Sequence, residues 1–498
     1  MLDRFKSKPS KSGAGTRDLF INGAWIKASG GKTFDDFNPT TGALIAHVAD
    51  ANQADVDAAI AAAKTAQPAW ATLPPAARAT VFHKAATLFT ERMTDFVDAM
   101  ITETGSGFGK AMFEASLVPV ALHEAAGLTT HNIGAILPSQ VPGKVNRTVR
   151  SPRGVIGAIS PWNFPLYLSL RSFIYAMALG NTAVLKPSED SPLSGGLMIA
   201  QLFADAGLPA GVLNVVTTGR DGAPMVGDSF VGSRDVAGLS FTGSTKVGQM
   251  LSMACAQAFK PIMLELGGKN PIIVLEDADI DRAVDLAFFG AFLHQGQICM
   301  SADRIIVAQS IYQNFLDKLV AKTKNFVPTP PHEQTCVIGP IINDRQLQRI
   351  ASMVDEAQTQ GATVHCGGTT QAPYYTATIL TDVSRDMRVW SDEIFGPVTC
   401  VVPAQNIEEA LAMANDTEYG LSAAIVTTDL AQGEMLAERI NAGMVHINDS
   451  TVHDEPHCPF SGMGASGGGG KWGPAGAIEA FTTQRWISTQ RIAHQLPF

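Results

Sequence analysis

The chain has 498 residues, of which 46% are hydrophobic and 16% are charged, and it contains 46 glycines. This composition is typical of a folded, enzyme-like protein with two or three domains, and it excludes an intrinsically disordered chain. The formal net charge of -10 argues against nucleic acid or an acidic membrane as the main partner.

The cysteine pattern and the N-terminus bear on the compartment. Six scattered cysteines without a CxxC pair indicate free thiols, a reducing environment and no zinc-finger spacing. The first seventeen residues are polar and basic and lack the apolar segment of a secretory signal. The longest apolar stretch, 164–185, is interrupted by Arg171, Gly180 and Asn181, so it predicts a buried helix and strand. We expect a cytoplasmic protein with a mobile N-terminal tail.

The N-terminal third is predicted to open with a hairpin and continue with helices. Asn22-Gly23 between two short apolar runs is a strong hairpin signal. Three helical patterns follow, at 53–66, 75–102 and 109–134. The segment 144–150 then mixes apolar and polar positions, as a half-exposed strand does.

From Gly154 onward, short apolar runs alternate with helical segments. The predicted strands are 155–160, 182–185, 212–216 and 239–242, and the predicted helices are 165–179, 192–206 and 244–258. This alternation is typical of a parallel sheet that binds ligands at the carboxyl ends of its strands. A second alternating run covers 271–448, so two α/β domains with a cleft between them are expected. The last strand, 481–492, could pair with 144–150 or with another subunit.

The segment 290–300 carries the first candidate for chemistry, Cys299. A helical pattern that opens near Asp279 ends there, and a strand-like run, 304–307, follows. A thiol on a turn held between two rigid elements is well placed to reach a cleft. Most free cysteines are nevertheless buried small hydrophobes, so the position alone does not establish a nucleophile.

Two polar residues in apolar surroundings are further candidates. Asn163, in the turn Pro161-Trp-Asn-Phe-Pro165, could donate its amide to a developing oxyanion or could act as a local turn residue. Glu265 lies at an apolar strand end, where the surroundings would raise its pKa and suit it to general-base catalysis. A buried carboxylate without such a role would be unfavourable, which favours function at Glu265.

Other motifs allow two interpretations. The turn Phe241-Thr-Gly-Ser-Thr245 could place backbone N–H groups against a pyrophosphate or be an ordinary capped helix start, and no GxGxxG is present. The glycine loop 461–471 is no Walker loop, because its lysine is followed by Trp472. The metal-capable residues of 453–458 are interrupted by Pro456, so no metal site is expected. His294 could suggest a Cys-His hydrolase, but nearness in sequence supports such a pair only weakly.

Taken together, the motifs 161–165, 186–189, 241–244, 264–271, 296–299 and 393–397 occur in an order that resembles the NAD(P)-dependent aldehyde dehydrogenase superfamily. The tail (451–456, 464–467 and 478–481) is most similar to the benzaldehyde and vanillin dehydrogenase branch. The resemblance implies an α/β fold with a Rossmann-like NAD-binding domain (1–134 and 153–264), an α/β catalytic domain (265–460) and a small β oligomerisation arm (135–152 and 481–498). It also implies a homodimer or homotetramer.

The same resemblance implies roles for individual residues. Cys299 would be the nucleophile, Asn163 and the Cys299 N–H would hold the oxyanion, and Glu265 would activate the hydrolytic water. The implied cofactor contacts are Trp162, Lys186, Glu189, Gly243, Ser244, Glu393 and Phe395. A carboxylate at Glu189 repels a 2′-phosphate, which favours NAD, while Lys186 leaves NADP use open.

The resemblance also implies a substrate pocket, and several other activities remain possible from the sequence. An aromatic aldehyde would lie against Phe164, Tyr167, Ile298, Met300 and Phe460, although each could simply be core. The late glycine loop departs from many family members: Lys471 precedes Trp472, so an assisting carboxylate is absent and deacylation would rest on Glu265. Alternatives are aliphatic or semialdehyde substrates, CoA-dependent acylation, a thiol esterase that needs no NAD, and a non-catalytic binding protein.

Overall fold

The computed structural model describes residues 15–131, 134–468 and 472–493. The alternation of strands and helices is described sheet by sheet, since the loops that follow the strands carry many of the candidate site residues. The proposed N-terminal tail, up to residue 14, and residues 494–498 of the proposed arm lie outside the described residues.

The first large sheet has seven strands, and its core is parallel. In spatial order they are Ile262–Glu265, Val236–Thr242, Val155–Ile159, Thr182–Lys186, Leu213–Val215, Leu19–Ile21 and Ala24–Ile26. The first five pair in parallel, and the last two form an antiparallel hairpin on the edge. The hairpin prediction is confirmed: Asn22 and Gly23 have φ of 53° and 76°, as a two-residue hairpin turn requires.

The second large sheet also has seven strands and is parallel except at one edge. In spatial order they are Thr363–Cys366, Thr378–Thr381, Val398–Ala404, Ala302–Ala308, Asn270–Val274, Ser422–Val426 and Met444–Ile447. Its central strands are buried on both faces, as sheets covered by helices are. The chain passes from the first sheet to the second between Glu265 and Asn270, so the two sheets meet at this segment.

A third sheet of three strands stands apart from these two. Its strands are Thr482–Gln490, Lys144–Pro152 and Ala135–Leu137. Thr482 pairs with Pro152 and Gln490 with Lys144 in one continuous antiparallel register, so the predicted pairing of the last strand with 144–150 is confirmed. Smaller sheets join Thr16–Arg17, Leu44–Ala49 and Thr33–Phe37, join Thr370–Gln371 to Tyr374–Tyr375, and join Tyr419–Gly420 to Met463–Gly464.

Helices cover the large sheets. Those of the N-terminal half are Gln53–Thr72, Pro75–Glu91, Met93–Thr104, Phe108–Leu128, Pro165–Arg171, Ile174–Ala178, Met198–Asp205, Ala223–Gly232 and Thr245–Gln257. Those of the C-terminal half are Ile280–Phe292, Tyr312–Lys324, Asp344–Thr359, Arg388–Ser391, Ile407–Ala414, Leu430–Ala437 and Pro474–Phe481. None of the described helices is long and apolar enough to cross a membrane.

Three predicted helices are interrupted in the structure. The prediction 75–102 is two helices, because Arg92 leaves helical geometry with φ of -116° and ψ of 12°. The prediction 165–179 breaks at Phe173, which has φ of -140°. The prediction 192–206 begins with a π-helical turn, Leu193–Leu197, before the α-helix starts. The segments 165–179 and 193–203 are almost entirely buried, so packing against neighbours outweighs local helical propensity there.

Candidate active site

Cys299 lies on a tightly wound turn between a helix and a strand. The helix Ile280–Phe292 is capped by Asp279, whose side chain accepts from two backbone N–H groups of the first turn. After it, His294, Gln295 and Gly296 all have left-handed φ, at 52°, 53° and 66°. Gly296 is required here, because a Cβ would lie 2.0 Å from the carbonyl oxygen of Gly396. The turn therefore holds the half-buried thiol in one place.

A cavity of about 240 Å³ opens at Cys299, at the carboxyl ends of strands in the first sheet. Six of the predicted catalytic and cofactor residues line it besides Cys299, namely Trp162, Asn163, Gly243, Ser244, Glu393 and Phe395. Leu168, Gln346 and Arg349 also line it and were not predicted. The tertiary structure thus brings together residues that are up to 233 positions apart in the chain, from Trp162 to Phe395.

Asn163 is buried and is held from two sides. Its side-chain Nδ2 donates to the carbonyl oxygen of Gln297 at 3.0 Å, two residues before Cys299. Its own carbonyl oxygen accepts from the Lys110 ammonium at 2.5 Å. An amide nitrogen carries two hydrogens, so one N–H of Asn163 remains for a ligand.

Glu265 is almost fully buried at the end of the strand Ile262–Glu265. Neither carboxylate oxygen has a hydrogen-bond partner among the residues that the structure describes. The pKa of Glu265 is raised to about 8: burial has the largest effect and Asp454 adds to it, whereas Arg171 and the nearby indole of Trp472 act in the opposite direction. A carboxylate with free oxygens and a pKa near neutrality is suited to accept a proton.

The Cys299 thiol is electrostatically coupled to the same groups. Burial raises the pKa of Cys299 well above its ordinary value, and the carboxylates of Glu265 and Glu393 add to this effect. The guanidinium of Arg171 acts in the opposite direction and lowers the pKa of Cys299. A thiolate is the reactive form, so Arg171 favours the reactive state of the sulfur.

Arg171 is a buried cation that sequence reasoning did not assign to the site. It ends the helix Pro165–Arg171, and its Nη1 donates to Asp454 at 3.0 Å. The guanidinium carbon lies 4.1 Å from the ring centre of Phe460 and 5.3 Å from that of Trp472. Its interruption of the apolar run 164–185 was the available signal, because a charge in a buried helix requires a partner.

His294 offers no catalytic base for Cys299. Its imidazole lies between the rings of Trp162 and Phe164, with ring centres 6.4 and 6.3 Å away. Burial lowers the pKa of His294 well below its ordinary value, and the Lys110 ammonium lowers it further. Neither ring nitrogen has a hydrogen-bond partner within 15–131, 134–468 and 472–493, so nothing in these segments joins His294 to Cys299 as a pair.

Comparison with known proteins identifies the family. A profile of the Aldehyde dehydrogenase family matches residues 25–487. The chain belongs to this family. It is 45% identical to the benzaldehyde dehydrogenase [NAD(+)] of Pseudomonas putida, covering 95% of this chain and 96% of that protein. It is 42% identical to the vanillin dehydrogenase of Corynebacterium glutamicum, covering 95% and 97%.

A solved structure agrees with the sequence comparison. The salicylaldehyde dehydrogenase of Pseudomonas putida G7, crystallised with salicylaldehyde, superimposes with a TM-score of 0.94 at 36% identity and covers 97% of this chain and 99% of that one. The predicted resemblance, the aldehyde dehydrogenase fold and the class of enzyme are therefore confirmed. The chain is an aldehyde dehydrogenase, an oxidoreductase that uses NAD(P) and acts on an aldehyde.

In this aldehyde dehydrogenase, Glu393 and two aromatic rings form one side of the cavity. Oε1 of Glu393 accepts from the backbone N–H of Gly268 at 3.1 Å. The pKa of Glu393 is raised to about 7. Burial raises it, and the hydrogen bond from the Gly268 N–H partly offsets this effect. The ring of Phe395 meets Trp162 edge to face, with centres 5.5 Å apart. A carboxylate beside aromatic walls can hold a ribose next to a flat ring.

Ser244 and Gly243 also line the cavity. Ser244 is the N-cap residue of the helix Thr245–Gln257, yet its side chain makes no capping hydrogen bond. The first N–H groups of this helix lack intrahelical partners, as at every helix start. Gly243 lets the chain pass close to Phe241, since a Cβ there would lie 2.6 Å from that ring. The geometry suits a pyrophosphate at a helix N-terminus.

Lys186 and Glu189 do not line this cavity, and Glu189 instead lines a separate cavity of about 310 Å³. Nζ of Lys186 and Oε2 of Glu189 are 3.4 Å apart, and the Arg220 guanidinium lies 3.8 Å from the other carboxylate oxygen. These two cations hold the pKa of Glu189 below its ordinary value, although its burial acts the other way. Glu189 is thus anionic near neutral pH and available to a hydroxyl group.

The five predicted substrate-pocket residues are all in the hydrophobic core next to the site. Phe164, Tyr167, Ile298, Met300 and Phe460 are each at most 6% exposed, and none of them lines the 240 Å³ cavity. Phe460 packs under Arg171, and the Tyr167 hydroxyl has no hydrogen-bond partner in the described part of the chain. Their contact with a substrate stays a prediction.

One group of metal-capable side chains occurs among the described residues. Ligand atoms of Glu455, His457 and Cys458 lie within 4.8 Å of one another, and all three residues are exposed. They belong to the segment 453–458, and the structure offers no buried fourth ligand beside them in the residues it describes.

Proposed function

We propose that this aldehyde dehydrogenase oxidises an aromatic aldehyde to the carboxylic acid with NAD. The observation that carries the proposal is the set of groups at and next to the cavity: the half-buried Cys299 thiol and Asn163 line it. Glu265 lies behind this lining, acts electrostatically on the thiol, and has no hydrogen-bond partner on either oxygen among the described residues. The three groups correspond to a nucleophile, an oxyanion donor and a base.

Nucleophilic attack is the first role, assigned to Cys299. The thiol proton must leave to solvent before attack, because the thiolate is the nucleophile. The sulfur then forms a bond to the aldehyde carbon, and the carbonyl π electrons move to the oxygen, giving a thiohemiacetal anion. The Arg171 cation favours the thiolate, which is the species that attacks.

Stabilisation of the oxyanion is assigned to Asn163 and the backbone N–H of Cys299. One Asn163 N–H already donates to Gln297, which fixes the orientation of the amide plane. The second N–H therefore has a fixed direction, and the amide need not reorient when the oxyanion forms. A donor that is held in place before the charge develops stabilises the transition state more than a mobile one.

Cofactor binding is assigned to residues that line the cavity and to the pair of Lys186 and Glu189 outside it. Ser244 and the helix start behind it would hold the pyrophosphate, Glu393 the nicotinamide ribose, and Lys186 with Glu189 the adenosine ribose. Trp162 and Phe395 would pack near the nicotinamide ring. Held there, NAD would supply the hydride acceptor, and loss of hydride from the thiohemiacetal carbon would leave a thioester on Cys299.

Hydrolysis of the thioester is assigned to Glu265. It would take a proton from a water molecule, the water oxygen would bond to the thioester carbon, and the carbon–sulfur bond would break. The acid leaves and the thiolate is restored. The carboxylate must be ionised for this step. Because its pKa is about 8, the ionised fraction of Glu265 changes with pH near neutrality.

The aromatic substrate is inferred from the relatives and from the aromatic residues packed next to the site. The curated relatives at 45% and 42% identity are named for benzaldehyde and vanillin, and the matched structure holds salicylaldehyde. Aromatic rings at Phe164, Tyr167 and Phe460 can pack against a flat ring.

We also propose a cytoplasmic homodimer or homotetramer, with the exposed Trp486 and Ile136 of the third sheet at a subunit contact.

Three competing activities are less well supported. CoA-dependent acylation does not need a base for water, whereas Glu265 is present with neither oxygen hydrogen-bonded to a residue that the structure describes. A thiol esterase would need a base paired with Cys299, and His294 is not in that position. Aliphatic or semialdehyde substrates would not require the aromatic side chains around the site.

The two large sheets are proposed as the centres of two domains. The NAD-binding domain would comprise 1–134 and 153–264, and the catalytic domain would comprise 265–460.

The test is NADH formation with NAD and a panel of benzaldehyde, vanillin and short aliphatic aldehydes, with and without CoA. We expect rapid NADH formation from an aromatic aldehyde without CoA and none from Cys299→Ala. Preference for aliphatic aldehydes would contradict the substrate proposal. Turnover by Cys299→Ala would contradict the nucleophile assignment, and a requirement for CoA would contradict hydrolysis.

A further inference from the structure

A buried ion pair lies behind the oxyanion segment and takes no part in the chemistry described above. Lys110 and Glu114 are one turn apart on the helix Phe108–Leu128, with their charged atoms 2.6 Å apart. Both side chains are at most 1% exposed. Isolated charges are very unfavourable in a protein interior, so a pair in this position requires complete hydrogen bonding.

The Lys110 ammonium has all three of its N–H groups in use. They donate to Oγ of Ser106 at 3.1 Å, to Oε2 of Glu114 at 2.6 Å and to the carbonyl oxygen of Asn163 at 2.5 Å. The ammonium also lies 4.1 Å from the ring centre of Phe164. Three donors in fixed directions determine the position of the Asn163 carbonyl.

The other oxygen of Glu114 caps the next helix. Oε1 accepts from the backbone N–H groups of Leu166 at 2.8 Å and Tyr167 at 2.9 Å. These are the first free donors of the helix Pro165–Arg171, whose N-cap residue, Phe164, has no side-chain oxygen to offer. Glu114 therefore supplies from another helix the acceptor that the local sequence lacks.

Together the two charges hold the segment from Asn163 to Tyr167 at both ends. We propose that Lys110 and Glu114 are positioning residues that hold the Asn163 amide in the geometry needed to bind the oxyanion. The inference rests on the role proposed for Asn163. Neither residue touches the substrate. They act on the rate of attack through Asn163, since a small displacement of a catalytic group can slow a reaction by about 10²-fold.

The test measures single-turnover NADH formation with enzyme in excess over the aldehyde, in Lys110→Met, Glu114→Gln, Asn163→Ala and Lys110→Met/Asn163→Ala. Removal of an oxyanion donor slows the reaction by about 10²–10³-fold, which we expect for Asn163→Ala. We expect about 10²-fold for Lys110→Met, with the Kd for NAD unchanged. The double variant should match Asn163→Ala within about twofold, because the positioning effect requires the amide.

Glu114→Gln keeps the inference testable if Lys110→Met does not fold. It retains the size of the side chain and removes only the charge, and we expect about tenfold slower hydride formation from the weaker cap and ion pair. The kcat should fall while the KM for NAD is unchanged. A purely structural role would instead lower Tm without this selective loss of rate.

Glu103→Gln is the matched control. Glu103 is equally buried, and its oxygens cap another helix by accepting from the backbone N–H groups of Leu193 at 2.6 Å and Ser194 at 2.7 Å. We expect this variant to lose stability and keep its single-turnover rate. A loss of rate as large as in Glu114→Gln would overturn the inference, because any buried cap would then suffice.

The remaining outcomes distinguish the oxyanion role of Asn163 from the positioning role of Lys110 and Glu114. If Asn163→Ala keeps the wild-type rate, the oxyanion role itself is wrong, and the inference falls with it. If Asn163→Ala is slow while folded Lys110→Met and Glu114→Gln are as fast as wild type, the inference alone is wrong. Losses that multiply in the double variant would also overturn it, because Lys110 would then act independently of Asn163.

Discussion

Arg171 and Asp454 form a buried ion pair, with 3.0 Å between Nη1 and Oδ2, beside both proposed catalytic groups. Asp454 holds the pKa of Arg171 above its ordinary value despite the opposing effect of burial. The two partners act with opposite sign on Glu265: Arg171 lowers its pKa, and Asp454 raises it. Burial has the largest effect on the pKa of Glu265, and the pair adjusts the pH at which this proposed base ionises.

Substitutions of the two partners should move the pH profile in opposite directions. Arg171→Met removes a cation, so the pKa of Glu265 should rise and the rising limb of kcat should move to higher pH. Asp454→Asn removes an anion, so that limb should move to lower pH. The measurement is kcat against pH from about 6 to 10, where such limbs report the groups of the enzyme–substrate complex. Shifts of both variants in the same direction would contradict this explanation.

Glu265→Gln should separate hydride transfer from hydrolysis. The amide cannot take a proton from water, so we expect steady-state turnover to fall by about 10²–10⁴-fold while NADH still forms in a first turnover. Mass spectrometry of the stopped reaction should show an acyl group on the protein. Cys299→Ala is the control and should show neither the NADH nor the acyl group. Undiminished steady-state turnover in Glu265→Gln would exclude Glu265 as the base.

Gly267→Ala should disturb the cofactor through Glu393. A Cβ at Gly267 would lie 2.6 Å from Oε2 of Glu393, so the carboxylate must move. We expect the KM for NAD to rise about tenfold, equivalent to about 1.4 kcal/mol, and Glu393→Gln to show a similar increase. Gly232→Ala adds the same atom where nothing lies within 4 Å and should leave the KM unchanged. An unchanged KM in Gly267→Ala would argue against a ribose contact at Glu393.

Glu189→Gln should increase the use of NADP relative to NAD. The anionic carboxylate repels a 2′-phosphate, while Lys186 and Arg220 remain beside it to attract one. Unfavourable like-charge contacts amount to several kcal/mol, so we expect the ratio of kcat/KM values to shift toward NADP by at least about tenfold. Asp221→Asn removes one exposed charge nearby and is the control for net charge. An equal shift in both variants would remove Glu189 from the explanation.

The sequence alone determined the local elements and the identity of the chemical groups. The period of apolar residues predicted the parallel strands, and Asn22-Gly23 predicted the hairpin, because these signals depend only on neighbours in the chain. The set of motifs carrying Cys299, Glu265 and Asn163 was sufficient to indicate the aldehyde dehydrogenase family, which the comparisons confirm. The continuous helix 75–102 was wrong, since the break at Arg92 has no proline or glycine to announce it.

Only the tertiary structure decided which charges act on these groups. Arg171 meets Asp454 across 283 positions, and Lys110 meets the Asn163 carbonyl across 53. Hydrogen bonding and burial depend on distances in space, which periodicity and spacing along the chain do not contain. For the same reason the sequence did not reveal that Glu114 caps a distant helix, or that both oxygens of Glu265 lack a partner in the segments described. The fold brings charges that are distant in the chain close enough to Cys299 to shift the pKa of its thiol.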